Sequence, residues 1–340
     1  MKRIIYIVLA ASMLFLGGCS DKEVFKPTQS VVGDWPYQHD LNSSIVSSSS
    51  SGAILQNGQI LYQNKIINTD VDYHNQRLLH VQKQWIILST VNGELTLIKR
   101  SDLSEKIVFR LKKTIAAATV HNGLVAVLFA SDNIALYLLK DKQIVFQSPG
   151  NTPVAVDQRV VNPYFLNNLV IFPTLDGSLT IVNSATKRIV KSIIVSSKQY
   201  FNNVIDFEVA GNNLISASGY NVLSVEQGTK RASFDVRDIK YFKGTIYVAT
   251  KSGDIYALTK SLQIKSKISF QFAHFLGMIV TKKRVYLLLR QGYLISLNKD
   301  FKSYKIYDAD IDKDGLVYVG RNAFYVNGQY FAIDKHLNVQ

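Results

Sequence analysis

What this chain lacks narrows its chemistry before any motif is read. One cysteine, Cys19, stands among 340 residues, so no disulfide can form within the chain and no cysteine-based metal cluster is available. The six histidines, His39, His74, His80, His121, His274 and His336, show no H-x-x-x-H or comparable spacing, and each reads as a surface or capping residue rather than a metal ligand. There is no G-x-S-x-G elbow and no Walker-type loop, which removes two common sequence marks of catalysis. No long helical periodicity follows the first twenty residues. Acidic side chains are also few: 25 Asp and Glu against 39 Lys and Arg leave a formal charge of +14. The lysines are scattered rather than clustered, so the charge reads as a solvated surface and no nucleic-acid partner is expected. With 47% apolar and 19% charged residues, the chain can bury a core without covalent staples.

The first twenty residues are the most specific stretch present. Lys2 and Arg3 precede an apolar run from Ile4 to Ala11, then Met13 to Leu16, and then Leu16-Gly17-Gly18-Cys19-Ser20. A basic start, a short apolar segment and small residues before a cut site describe a secretory signal over residues 1–18. The cysteine placed directly after Leu16, Gly17 and Gly18 resembles the lipobox of bacterial lipoproteins. That resemblance implies that Cys19 becomes the acylated, palmitate-bearing first residue, and that the protein is anchored through it to a membrane. Ser20, rather than Asp, fits sorting to the outer membrane. An ordinary signal peptide or a simple membrane anchor is the alternative. Residues 19–51 are serine-rich, ending in Ser47 to Ser51, and read as a flexible tether, although Ile45 and Val46 also allow a first strand over 43–51.

From Gly52 a pattern recurs at intervals of about 40 residues: an apolar β-branched run, a Gly-containing turn, and a strand of alternating apolar residues. Trp85 to Thr90 leads to Asn92-Gly93, Leu169 to Phe172 to Asp176-Gly177, Thr245 to Thr250 to Ser252-Gly253, and Arg284 to Leu289 to Gln291-Gly292. Weaker copies place turns near 58, 133, 219 and 320. Such pairs supply the positive φ that tight hairpins need. Self-similarity at this period, with four short strands per unit, predicts an all-β chain: a β-propeller of eight four-stranded blades over residues 52–340, with seven as the alternative count. A β-sandwich pair fits the regular period poorly, and a solenoid lacks a recognisable cap.

Two segments carry a family resemblance. Ser252-Gly-Asp-Ile-Tyr-Ala-Leu-Thr and Asp176-Gly-Ser-Leu-Thr-Ile-Val-Asn-Ser-Ala-Thr-Lys-Arg-Ile-Val resemble the repeat of PQQ-type propellers. With the lipobox, the chain resembles the BamB-like lipoproteins of the outer-membrane β-barrel assembly machinery. That resemblance implies a non-catalytic, monomeric propeller working within a complex, at the periplasmic face of the outer membrane, with a β-barrel assembly protein as partner and no cofactor. The tryptophan expected near the end of each PQQ-type repeat is absent, since only Trp35 and Trp85 occur. A second class of function stays open, a propeller holding a glycan, peptide or ion at its channel mouth.

Two candidate sites follow. Asp310, Asp312 and Asp314 with Gly315 match the start of a D-x-D-x-D-G calcium loop, in which alternate carboxylates converge on a hard cation. The match stops at Tyr318 and Arg321, where further acids belong, so a solvated strand and Asp-Gly turn is the rival. Tyr200 and Phe201, adjacent aromatics in a polar connector, are candidate partner-binding anchors, with a plug between blades as the alternative. Phe270 to Phe275 alternates like an inner strand and reads as core.

Overall fold

The fold is drawn from a computed structural model that describes residues 23–337 and Val339. The proposed signal and Leu16, Gly17, Gly18 and Cys19 lie outside the described residues.

Eight sheets, each built on four antiparallel strands and one of them extended by a fifth, follow one another around a ring. Blade I spans 45–67, II 76–110, III 115–148, IV 164–194, V 204–233, VI 236–269 and VII 275–308. Blade VIII takes its three inner strands from 317–332 and its outermost strand from the other end of the chain, Gln38–Asp40. The eight-bladed propeller expected from the repeat is what the chain forms.

Blade VI shows why the sequence selects this shape. Its second strand, Thr245–Thr250, buries five successive residues, of which Ile246 to Ala249 form an apolar run. Ile246 and Val248 pack towards blade V, with Ile215, Ala217 and Val222. Tyr247 and Ala249 pack towards blade VII, with Met278, Val285 and Leu287. Alternate side chains point to opposite faces of a strand, so a run without polar residues is what a sheet covered on both faces requires. The outer strand Thr229–Ser233 of blade V, exposed to solvent, is polar instead.

The turn between the second and third strands repeats one device. Gly58, Gly93, Gly177, Gly253 and Gly292 all have φ between +80° and +90°. The carbonyl of each accepts a backbone N–H from the connector leading to the next blade, as Phe270 donates to Gly253 at 2.9 Å. A Cβ at Gly253 would stand 2.1 Å from the Phe270 carbonyl oxygen, so the connector lies where any side chain would collide. Blade III departs from the rule with Asp132, at φ +64°. Its buried carboxylate reaches across to blade IV and accepts the N–H groups of Leu175 at 2.6 Å and Asp176 at 3.2 Å. Replacing Asp132 with alanine leaves two shielded donors unpaired, and urea denaturation is expected to show a loss of about 2–4 kcal/mol; an unchanged midpoint would show that water takes the carboxylate's place.

Three sequence expectations change here. Residues 31–48 are not free tether. Val31–Asp34 adds in parallel to the outer strand of blade VII and Gln38–Asp40 completes blade VIII, while the alternative of a first strand over 43–51 holds, Ile45–Ser48 being the inner strand of blade I. These short polar segments become strands because they pair with edges already formed, not by propensity. The turn placed at Gly320 joins the first two strands of blade VIII. The equivalent of the other seven is Asn327-Gly328, since Leu316 to Val319 belongs to the inner strand rather than the second. Finally, Phe270 and Phe275 are buried, but Phe272 between them lies on a connector and is exposed.

The outer edges are guarded against pairing. The outermost strands Asp102–Arg110, Ile144–Ser148, Arg188–Ile194 and Ile264–Ser269 each carry an irregular register. Thr229–Ser233 carries Lys230 and Arg231, and Lys65–Ile67 is only three residues long. In blades VII and VIII the outermost strands are the short N-terminal segments Val31–Asp34 and Gln38–Asp40. Bulges, charge, brevity and cover are the usual means of blocking strand addition, which directs attention from the rim to the two faces.

Candidate functional site

The antiparallel blades give the disc two unlike faces. The upper face carries the turns joining first to second and third to fourth strands; the lower carries the Gly-containing turns and the connectors between blades. Among the described residues, large exposed hydrophobic side chains in these loops fall on the lower face alone: Val91, Val154, Val156, Tyr200, Phe201, Phe272 and Leu316.

Tyr200 and Phe201 sit in the connector between blades IV and V, 47% and 51% exposed. They therefore do not plug the blades. The loop is held rigidly beneath them. Buried Asn202 donates to the Ser196 carbonyl at 3.0 Å and accepts from the Lys198 N–H at 3.0 Å. Fully buried Asn203 ties in the long connector 149–163, accepting the Asp157 N–H at 2.7 Å and donating to the Asp157 and Arg159 carbonyls. The Phe201 N–H donates to the Ala155 carbonyl at 3.0 Å, which sets Val154, 72% exposed, and Val156 beside the aromatic pair. Phe201 holds a left-handed φ of +50°, an unfavourable conformation for a bulky side chain that this bonding maintains. Nothing local in the sequence revealed Val154 and Val156 as part of the patch, because the contact joins loops 46 residues apart.

The N-terminal segment reaches the same face. Phe25 is buried between blades VI and VII, edge-on to Tyr293 and Phe270 at 5.7 and 6.4 Å. Around Glu23 to Lys26 runs a groove of about 900 Å³ that also includes Phe272, Lys251, Arg290 and Lys313. Two of its cations are already paired, Lys251 with Asp235 at 2.9 Å and Arg290 with Asp314 at 2.5 Å.

That second pair bears on the calcium motif. Asp310, Asp312 and Asp314 are exposed in the connector before blade VIII, and they do not converge. Asp314 turns to Arg290, while Asp312 accepts from the side-chain amide of Asn327 at 2.9 Å and from the Asp314 N–H. Among the described residues no group of three His, Cys, Asp or Glu side chains is placed to hold a metal ion. The alternating carboxylates form a hydrogen-bonded turn instead.

The axis is charged in a way the sequence did not signal. Six inner strands carry an irregular register near their start, and in blade VI it falls at Arg237, whose guanidinium donates to the Phe275 carbonyl of blade VII at 2.7 Å. Arg159 pairs with Asp157 at 2.5 Å and reaches the Arg237 carbonyl. Deeper in, Lys240 lies 3.6 Å from Asp238. Asp238, together with Asp206 and Glu208, holds the Lys240 ammonium above its ordinary range despite burial. Desolvation by the channel wall pushes the half-buried Asp206 carboxyl up to about 7, with Lys240 opposing, and raises the more exposed Glu208 in the same direction. His80, on the inner strand of blade II, is driven by burial down to about 4 and stays neutral near pH 7.

These shifts have a sign. A carboxyl whose folded pKa exceeds its unfolded value disfavours the fold once ionised, so its burden is absent below about pH 4 and grows towards pH 7. Asp206→Asn is therefore expected to narrow the gap between melting temperatures at pH 5 and pH 8; an unchanged gap would show that Lys240 already compensates Asp206 fully.

No protein-family model matches the chain. Two curated relatives, both named plasminogen-binding protein PgbB, from Helicobacter pylori strains J99 and 26695, are 27% and 26% identical over 89% of this chain. The chain spans 64% of their length. Among solved structures, BamB from Moraxella catarrhalis superposes with a TM-score of 0.65 at 14% identity, covering 86% of this chain and 97% of that one. The computationally designed protein Ika8 gives 0.62 at 12% identity over 90% of this chain and all of its own. The C-terminal WD40 domain of Sif2 gives 0.63 at 11% over 87% and 97%. At such identities these likenesses show the propeller fold alone.

Proposed function

We propose that this chain is a non-catalytic protein-docking propeller, anchored by lipid on Cys19 at the periplasmic face of the outer membrane, and that it serves the assembly of outer-membrane β-barrel proteins. The observation that carries this reading is the rigid apolar patch of Val154, Val156, Tyr200 and Phe201 on the face where the N-terminal segment also lies. Apolar and aromatic groups fixed in place before binding lose little entropy on docking. Only four residue steps separate Cys19 from Glu23, a reach of at most about 14 Å. Acylation there holds the lower face near the bilayer and raises its local concentration beside a membrane-embedded partner. The lipobox resemblance and the propeller fold shared with BamB support the reading.

The test is affinity purification of the tagged protein from solubilised membranes, with mass spectrometry of both its N-terminal peptide and its companions. An acylated Cys19 peptide together with the central β-barrel assembly protein is expected. A preparation lacking that protein, from membranes where it is abundant, would contradict the assembly role.

The relatives' name favours a second reading, that the propeller surface holds plasminogen. Retention of purified plasminogen by the immobilised chain supports it; passage of plasminogen through the column unretarded removes it.

A further inference from the structure

The upper face, opposite the docking patch, holds a second feature. A cavity of about 1210 Å³ opens over blades V to VIII and blade I, lined by Lys65, Lys243, Lys282 and Arg321 with Glu208 as its one carboxylate. None of these four cations makes a salt bridge among the described residues, in contrast with the paired Lys251 and Arg290 below. Just outside, the Lys299 ammonium lies 4.1 Å from the centre of the Phe242 ring. Burial and the nearby Lys243 and Lys265 hold it below the ordinary lysine range, so positive charge is crowded here. The remaining wall supplies donors and acceptors of another kind, the Asn322 side-chain amide, the Asn64 Nδ2 and the Gln63 Oε1, with Tyr241 and Phe242 among the lining residues; the Thr281 hydroxyl is already committed to Arg284.

Unpaired cations favour a ligand with more than one negative charge. Side-chain amides suit the hydroxyl groups of a sugar, and aromatic residues in the wall suit the apolar side of a pyranose ring. We infer that the upper channel mouth is a binding site for an acidic saccharide, one bearing phosphate or carboxylate groups. The site goes beyond the docking role and lies on the other face, so it can be occupied while a partner holds the patch. The cations neutralise the acid groups and the amides fix the orientation.

Calorimetric titration of the folded chain in about 150 mM salt, where loose surface attraction is screened, tests the assignment. Three probes separate the sources of charge: glucose 1,6-bisphosphate, a galacturonic acid pentamer and the neutral maltopentaose. Saturable binding of at least one acidic probe, without binding of maltopentaose, is expected. Lys243→Glu with Lys282→Glu should weaken it by about tenfold or more, while Lys251→Glu on the lower face leaves it unchanged. Binding of neither acidic probe, equal binding of maltopentaose, or indifference to the upper-face charge reversal overturns the inference.

Discussion

Replacing Trp35 with alanine is expected to cost about 3–5 kcal/mol, a larger loss of stability than that from Asp132→Ala. Trp35 is 7% exposed and lies between blades VII and VIII, packed with Leu288 and Leu294 on one side and Phe324 and Phe331 on the other. Its indole N–H donates to the Ala332 carbonyl at 2.8 Å, and its backbone N–H to the Asp308 carbonyl at 2.8 Å. Tyr37, Tyr286 and Tyr307 meet its ring edge-on, the last at 4.9 Å. One residue thus joins the first and last parts of the chain. In a ring each blade's apolar faces are covered only if the circle closes. Deleting residues 23–40 should go further. It uncovers the edges of Tyr304–Asp308 and Gln329–Ala332, and unpaired edges recruit other chains. Light scattering should then report aggregation, whereas a monomer with the parent melting temperature would show that closure is dispensable.

The second large effect is on docking rather than folding. Tyr200→Ser combined with Phe201→Ser removes two exposed aromatics from a loop whose bonding runs through Asn202 and Asn203 instead. The melting temperature should stay close to that of the parent chain. Affinity for the proposed assembly partner should fall by about thirtyfold or more, the scale of losing one binding anchor worth about 2 kcal/mol or more. Undiminished binding with the fold intact would remove the patch from the interface. A collapse of the fold would instead assign the pair to packing, and Val154→Ser, in the neighbouring connector, keeps the docking role testable in that event.

Much of the architecture is legible in the sequence, because strands buried on both faces and turns needing positive φ impose local patterns. Thr245–Thr250 and Ser252-Gly253 announce themselves by residue type alone. Features made by distant pairing do not. Gln38–Asp40 is a strand only because Gln329–Ala332 waits beside it, and Asp132 occupies a glycine position because its carboxylate is needed in the next blade. The candidate site divides in the same way. The two adjacent aromatics stand out against a polar loop, but their company with Val154 and Val156 depends on a buried asparagine that reaches into another connector. The Asp310 to Asp314 run misleads for the converse reason: its spacing suits a cation, while Arg290 and Asn327, outside the run, claim its carboxylates.

The proposed docking face is open to the most direct measurement. A photo-activatable amino acid placed at Phe201 on the lower face, and separately at Ile264 on the rim, would be irradiated in cells and the adducts identified by mass spectrometry. Crosslinks from position 201 to the central β-barrel assembly protein, with few or none from position 264, are the predicted result. Crosslinks from the rim alone, or none to that protein from either position, would contradict the account.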